Sequence, residues 1–247
     1  MESQTPFNNS NDLSLVQPVE QTQLKNFMAN VFAYMFMALG ISALFAFLFA
    51  SNANLLAYLF TNRSPNMLGF IVMFAPLGFV LLMSFGYSRL SAPMLVLLFV
   101  VYSAVNGISF SVILLGFTAS SVLGCFLSAA AMFGIMAFMG YTTKQDLTKF
   151  GRILFMGLIG IIVASIINLF MHSSSLDYLV SFIGVAVFTG LTAYDVQKLK
   201  NIGSGIQYAN VPAAEVKKVS ILGALNLYLD FINLFLFLLR LFGGRRN

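Results

Sequence analysis

Runs of roughly twenty apolar residues follow one another along almost the whole chain, each long enough to cross about 30 Å of hydrocarbon as an α-helix. Seven can be marked, at 27–50, 67–87, 93–115, 118–141, 153–171, 176–197 and 221–242. A water-soluble fold has nowhere to hide them: 59% of the 247 residues are hydrophobic and 9% charged, against about 25% charged in an ordinary soluble domain. Helices satisfy their own backbone N–H and C=O groups in lipid, whereas a spanning barrel would read as short alternating strands. The expectation is therefore all-α: a polytopic membrane protein of seven transmembrane helices. A polar N-terminal arm over 1–26 precedes the transmembrane domain over 27–247.

Connections between the runs are short. Only Lys198 to Ser220 reads as a long loop, with "GSG" at 203–205 and Pro212 as breakers. The arm lacks the basic n-region of a signal peptide and reads as disordered or interfacial. A net charge of +5 does not point to nucleic acid, because the basic residues are scattered through short loops rather than gathered on one face. They report topology instead. Lys25, Arg89, Lys144, Lys149, Arg152, Lys198, Lys200, Lys217 and Lys218 fall on the N-terminal side of seven crossings, while Arg63, Arg240, Arg245 and Arg246 fall on the other. The positive-inside rule then puts the N-terminus in the cytoplasm. Short loops without targeting signals suggest a bacterial inner membrane. A single cysteine, Cys125, excludes an intrachain disulfide and reads as buried. His172, the one histidine, falls at the outer end of the fifth run with no partner spaced for zinc.

The seventh run, "ALNLYLDFINLFLFLLRLFG", carries an acid near its middle. A charged Asp at a helix centre costs about 3 kcal/mol on the insertion scale, and each Leu, Ile or Phe returns about 0.3 to 0.6. The apolar residues from Ile221 to Phe242 offset Asp230, with less to spare once Asn226, Asn233 and Arg240 are added. Gly223, Asn226, Asp230, Asn233 and Arg240 recur at three, four, three and seven residues, which puts them on one stripe. Such a stripe should face protein or water, so the seventh helix is expected at the centre of the bundle.

The sixth run holds a second acid, Asp195, with Thr192, Phe188 and Ser181 on roughly the same face. The sixth and seventh runs are consecutive and antiparallel, which leaves the two carboxylates only about 7 Å apart along the axis at 1.5 Å per residue. Carboxylates that meet in a low dielectric cannot both ionise cheaply, so such a pair holds a shared proton and works as a proton-sensitive latch. The alternative is that each acid separately caps a helix or bonds an asparagine. Arg89, on the same side as Asp195, is a candidate counter-charge or a solvated topology residue. Asn106, Asn226, Asn233 and Thr192 are candidate polar residues of a path, although interhelical hydrogen bonding is the commoner role for such groups. Gly124 with Ser128, and Gly160 with Ala164, have the spacing of small residues that let helices approach closely.

Four stretches resemble the transmembrane Bax inhibitor motif family, the Bax inhibitor and YccA-like proteins. They are "FVVYSAVNGISFS", "MGYTTKQDLTKFGRILFMGLIG", "GLTAYDVQK" and "LNLYLDFINLFLFLLRLFGG", and they cover most of the chain after Ser91. The resemblance implies a seven-helix fold whose last helix is wrapped by the other six. It further implies a calcium leak gated by pH through a hydrogen-bonded aspartyl pair, whose acids match Asp195 and Asp230, and a basic residue at the end of the second helix, matched by Arg89. One departure stands out: some members carry another acid within the second helix, and none lies between Met67 and Tyr87 here. The outer part of an ion path is thus left unassigned.

The expected function is a pH-sensitive calcium leak rather than an enzyme, with no tightly bound cofactor and with calcium as a transient ligand of Asp195 and Asp230. A calcium ion takes six to eight oxygens and two carboxylates offer at most four, so waters and carbonyls must complete its shell. The partners expected are the lipid bilayer and the calcium ion. A membrane-embedded regulator that docks onto another membrane protein, such as a membrane protease, is the alternative, with the arm as its handle. An intramembrane aspartyl protease is a remote alternative, because Asp230 follows "LYL" rather than a Gly-x-Gly segment and no Pro-Ala-Leu segment occurs. A retinal protein would need a lysine in the last run, and a rhomboid-type protease a buried histidine beside its serine. The chain supplies neither in a fitting place.

Overall fold

The computed structural model describes residues 10–61, 64–208 and 211–245, with side chains described outside 10–22 and 207–208. Residues 1–9 of the polar arm, and Arg63 and Arg246 of the charge count, lie outside the described residues. Eight helices occur among them: α1 (Ser10–Ser51), α2 (Ala53–Ala57), α3 (Met67–Phe85), α4 (Ala92–Leu115), α5 (Ala119–Thr142), α6 (Thr148–Met171), α7 (Ser174–Tyr208) and α8 (Ala213–Phe242). All but α2 are long and apolar enough to cross a membrane. The chain is an all-α polytopic membrane protein, and its one described sheet is the two-residue pairing of β1 (Phe60–Thr61) with β2 (Ser64–Pro65).

Local chemistry explains the helix ends. Asn66 starts α3 by accepting from Gly69 N at 2.9 Å, and Pro93 fits the first turn of α4, where its missing N–H is no loss. Asp146 accepts from Thr148 N at 2.9 Å and from the Thr148 hydroxyl at the start of α6, and these bonds hold its carboxyl below the usual range. His172 ends α6 in the left-handed conformation at φ 50°, and Asn168 secures the reversal, accepting from His172 N at 2.8 Å and from Ser173 N at 3.0 Å.

Three boundaries differ from the sequence reading. Helix α1 begins at Ser10, so described residues assigned to the polar arm are helical. The long loop expected over 198–220 is mostly helix, since α7 runs on to Tyr208 and α8 starts at Ala213 after Pro212. Gly203 does not break α7 because it serves packing: a Cβ there would stand 2.7 Å from side-chain atoms of Leu24 and Phe27 on α1.

The last helix is the core. Seventy-two per cent of its apolar stretch is buried, against 11% in α3 and 6% in α6. It packs on α1, α4, α5 and α7, whereas α3 rests mainly on α4 and α6 on α7. The wrapping of α8 is therefore done by four helices directly, with α3 and α6 as an outer layer. The expected close-packing pairs are not where helices meet: a Cβ at Gly124 or Gly160 would touch nothing within 4 Å. Close approach falls instead at Gly107 against the Ser42 backbone and at Gly140 against the Ala193 backbone.

Candidate functional site

Because α6 packs on α7 and barely meets α8, space is left between the three helices. At the lysine-rich end it widens into a cavity of 570 Å³ lined by Asp195, Asp230, Asn226 and Asn233, with Arg152 and Lys198 also on its wall. A smaller cavity of 190 Å³ reaches Asp195, Lys198 and Asn226 from the side of Tyr87 and Gly223.

The Asp195 and Asp230 carboxyls are close neighbours on the wall of the larger cavity, each on an unbroken stretch of helix. Asp230 is buried, and its Oδ2 meets no N–H or O–H donor among the described residues. An ionised carboxylate only accepts, so two of them make a hydrogen bond only when one holds a proton. A direct bond between these two acids therefore needs at least one proton.

Neighbouring bonds fix the helices that carry the acids. Gln197, buried beside Asp195, accepts from Leu147 N at 2.8 Å and donates to Gln145 O at 2.7 Å, tying α7 to the α5–α6 connection. Lys200 adds a bond to Tyr141 O at 2.8 Å. At the start of α8, the Tyr87 hydroxyl donates to Glu215 Oε2 at 3.1 Å and Lys218 pairs with Glu215 at 2.9 Å. Burial, then the Glu215 bond, push the Tyr87 phenol above its ordinary range.

The other candidates separate by helix face. Asn226 and Asn233 line the cavity. Thr192 is fully buried and spends its hydroxyl on Phe188 O at 2.8 Å, within its own helix. Arg89 is exposed, lines neither cavity and pairs with neither aspartate. The cation that acts on Asp195 is Lys198, three residues on in "DVQK", a spacing that puts both on one face. Among the described residues no group of three or more His, Cys, Asp and Glu gathers to hold a metal, which leaves the carboxyl pair and the two asparagine amides as oxygen donors at the cavity.

Asn106 belongs to a different cluster, which sequence reasoning missed. On the face of α8 away from Asp230, the Tyr228 hydroxyl lies 2.8 Å from Asn106 Nδ2 and 2.7 Å from Ser42 Oγ, and Ser42 donates onward to Ser103 O at 2.7 Å. Tyr228 is fully buried, edge-on to Tyr102 at 5.5 Å and to Phe99 at 6.2 Å. Its position two residues from Asp230 is the signal that could have found it, since residues two apart face away from each other on a helix. This cluster joins α1, α4 and α8. Tyr228→Phe is expected to lower stability in detergent by about 1 kcal/mol, the scale of one buried intramembrane hydrogen bond. The pH dependence of any flux should stay unchanged, as measured in the same preparation.

The family described as "Inhibitor of apoptosis-promoting Bax1" matches residues 24–247, which takes in all seven spans and both aspartates. The chain belongs to this family. The Escherichia coli K12 inner membrane protein YbhL is 47% identical over 233 residues, covering 94% of this chain and 97% of its own. An uncharacterized protein of Borreliella burgdorferi is 41% identical over 237 residues, covering 95% and 99%. An uncharacterized membrane protein of Streptococcus pyogenes serotype M6 is 36% identical over 222 residues, covering 89% and 93%. The similarity extends over nearly the full length of each relative, and the Escherichia coli and Streptococcus pyogenes relatives are named as membrane proteins.

Proposed function

We propose that this protein is a pH-sensitive calcium leak of the bacterial inner membrane, with its N-terminus in the cytoplasm and Asp195 and Asp230 as its proton-operated latch. The observation that carries the reading is the pair of neighbouring carboxyls on the wall of a 570 Å³ cavity. With one proton between them, the acids hold α7 to α8 and the path is shut. When that proton leaves, two negative charges about 4 Å apart repel by about 4 kcal/mol at an effective dielectric of 20, more than a charge-assisted hydrogen bond returns. The helices part and water enters.

The cavity's own cations support the same sense. Arg152 and Lys198 share the wall with the two acids. While the proton is held, this set carries one excess positive charge and repels a cation; once it is lost, the set is neutral. Calcium would bind weakly to the carboxylates, the Asn226 and Asn233 amide oxygens and water, as a conducting site requires. The protein conducts and does no covalent chemistry. The test is calcium entry into indicator-loaded liposomes holding the purified protein: flux should rise as pH rises. Flux that is absent, or equal at every pH, would overturn the reading.

A further inference from the structure

A second cavity lies at the other end of the same three helices, α6, α7 and α8. It measures 630 Å³, and its wall includes Asp177 of α7, Ser165 and Asn168 of α6, and Arg240 of α8. Arg240 Nη1 stands 4.0 Å from Asp177 Oδ1. Two cavities that each hold charged side chains therefore open on the same three helices, one at each end.

A short apolar barrier divides them. On α7, Asp177, Ser181, Gly184, Phe188 and Asp195 fall on one face. On α8, Phe237 lies between Asp230 and Arg240. Its ring packs on that of Phe188 with centroids 5.8 Å apart. The same ring sits on Gly184, where a Cβ would come within 2.7 Å of it, so only glycine leaves room for the packed rings. Both rings are buried. On the Asp177 side of the rings, the buried Ser181 Oγ has no hydrogen-bond partner among the described residues, and on the other side neither has Asp230 Oδ2. Groups that call for water flank the rings from both directions.

We propose that the packed Phe188 and Phe237 rings, seated on Gly184, form the gate between two vestibules of one path, with Asp177 and Arg240 at its outer mouth. The proposal rests on the leak reading above and supplies what the acids lack, because a narrow apolar constriction stops ions by staying dry. Register couples the two parts. Phe188 precedes Asp195 by seven residues on α7, and Phe237 follows Asp230 by seven on the antiparallel α8. Each ring thus lies two turns, about 10 Å, from its acid on the same helix face, and helices that part at the carboxyls part at the rings.

The first experiment needs no calcium. In a Cys125→Ala background, Asn233→Cys places a thiol on the inner cavity, and a membrane-impermeant thiol reagent is added from either side. Labelling is expected only from the Lys198 side. With Phe237→Ala or Phe188→Ala added it should come from both sides, and with Phe237→Leu, which keeps apolar bulk, from one. Labelling from both sides without those substitutions, or from one side despite both alanines in protein that stays monodisperse, overturns the gate. In the flux assay, Phe237→Ala should raise calcium entry about tenfold at the acid pH that shuts the parent, and Phe237→Leu should restore closure. A parent that passes no calcium while labelling behaves as expected overturns the leak and supports the gate. A parent that conducts while labelling stays one-sided in the alanine variants overturns the gate alone.

Discussion

Asparagine in place of Asp230 is expected to leave calcium flux low and flat across a pH series in which the parent rises by up to about tenfold per pH unit, the limit for a switch worked by one proton. The Asp195 carboxyl is the neighbour of Asp230 and, in the proposed latch, its hydrogen-bond partner. A carboxylate pair needs a proton to bond; an amide brings its own N–H and donates at any pH. The latch would stay closed after Asp195 ionises. Asp195→Asn should do the same from the other side, because the bond is reciprocal. The charged and titratable groups around the pair are Arg152 from α6, Lys198 and Tyr194 from α7, and Tyr87 from the α3–α4 connection. None is replaced, so a residual slope in either variant would measure what they add. Parent-like pH dependence in both variants would remove the acids from the mechanism. High, flat flux would mean that they meet without holding the path shut.

The seven spans were legible because each apolar run had to match the thickness of hydrocarbon. The central place of α8 was legible because its polar residues recur on one stripe. Asp230 lies on that stripe, and Asp195 of the antiparallel α7 lines the same cavity. What the sequence hid has a common cause: spacing along one helix does not say which neighbour it faces. Gly124 and Gly160 have the spacing of packing residues yet face open space, while Gly107 and Gly140 meet another backbone. Gly203 read as a breaker and is a contact with α1 inside a continuous helix. Asn106 is open in sequence between a path and interhelical bonding, and it takes the second role by bonding Tyr228, on the far side of α8 from Asp230. Arg89 and Lys198 both lie near the end of a span, and only Lys198 shares a cavity with Asp195.

Valine in place of Gly107 is expected to be strongly destabilising although the position lies outside the site. The reason is steric: a Cβ at Gly107 would collide with the Ser42 carbonyl oxygen and lie 2.9 Å from Ser42 Cα and 3.0 Å from Phe45 Cβ. The first two are backbone atoms, which no rotamer change can move, so α1 and α4 must separate. Overpacking of a close interface costs about 1–3 kcal/mol, and here the loss extends to the bonds that Ser42 makes with Tyr228 and Ser103 O. Thermal unfolding in detergent should therefore occur several degrees lower for Gly107→Val than for Tyr228→Phe, which removes one hydroxyl and leaves the helices in place. Gly124→Ala and Gly160→Ala provide the control, since a Cβ at either position meets nothing within 4 Å. Alanine there should be neutral or stabilising by up to about 1 kcal/mol through helix propensity. A Gly107→Val protein as stable as these would mean that α1 and α4 do not meet at Ser42, and the buried Ser42–Tyr228–Asn106 cluster would lose the contact that assembles it.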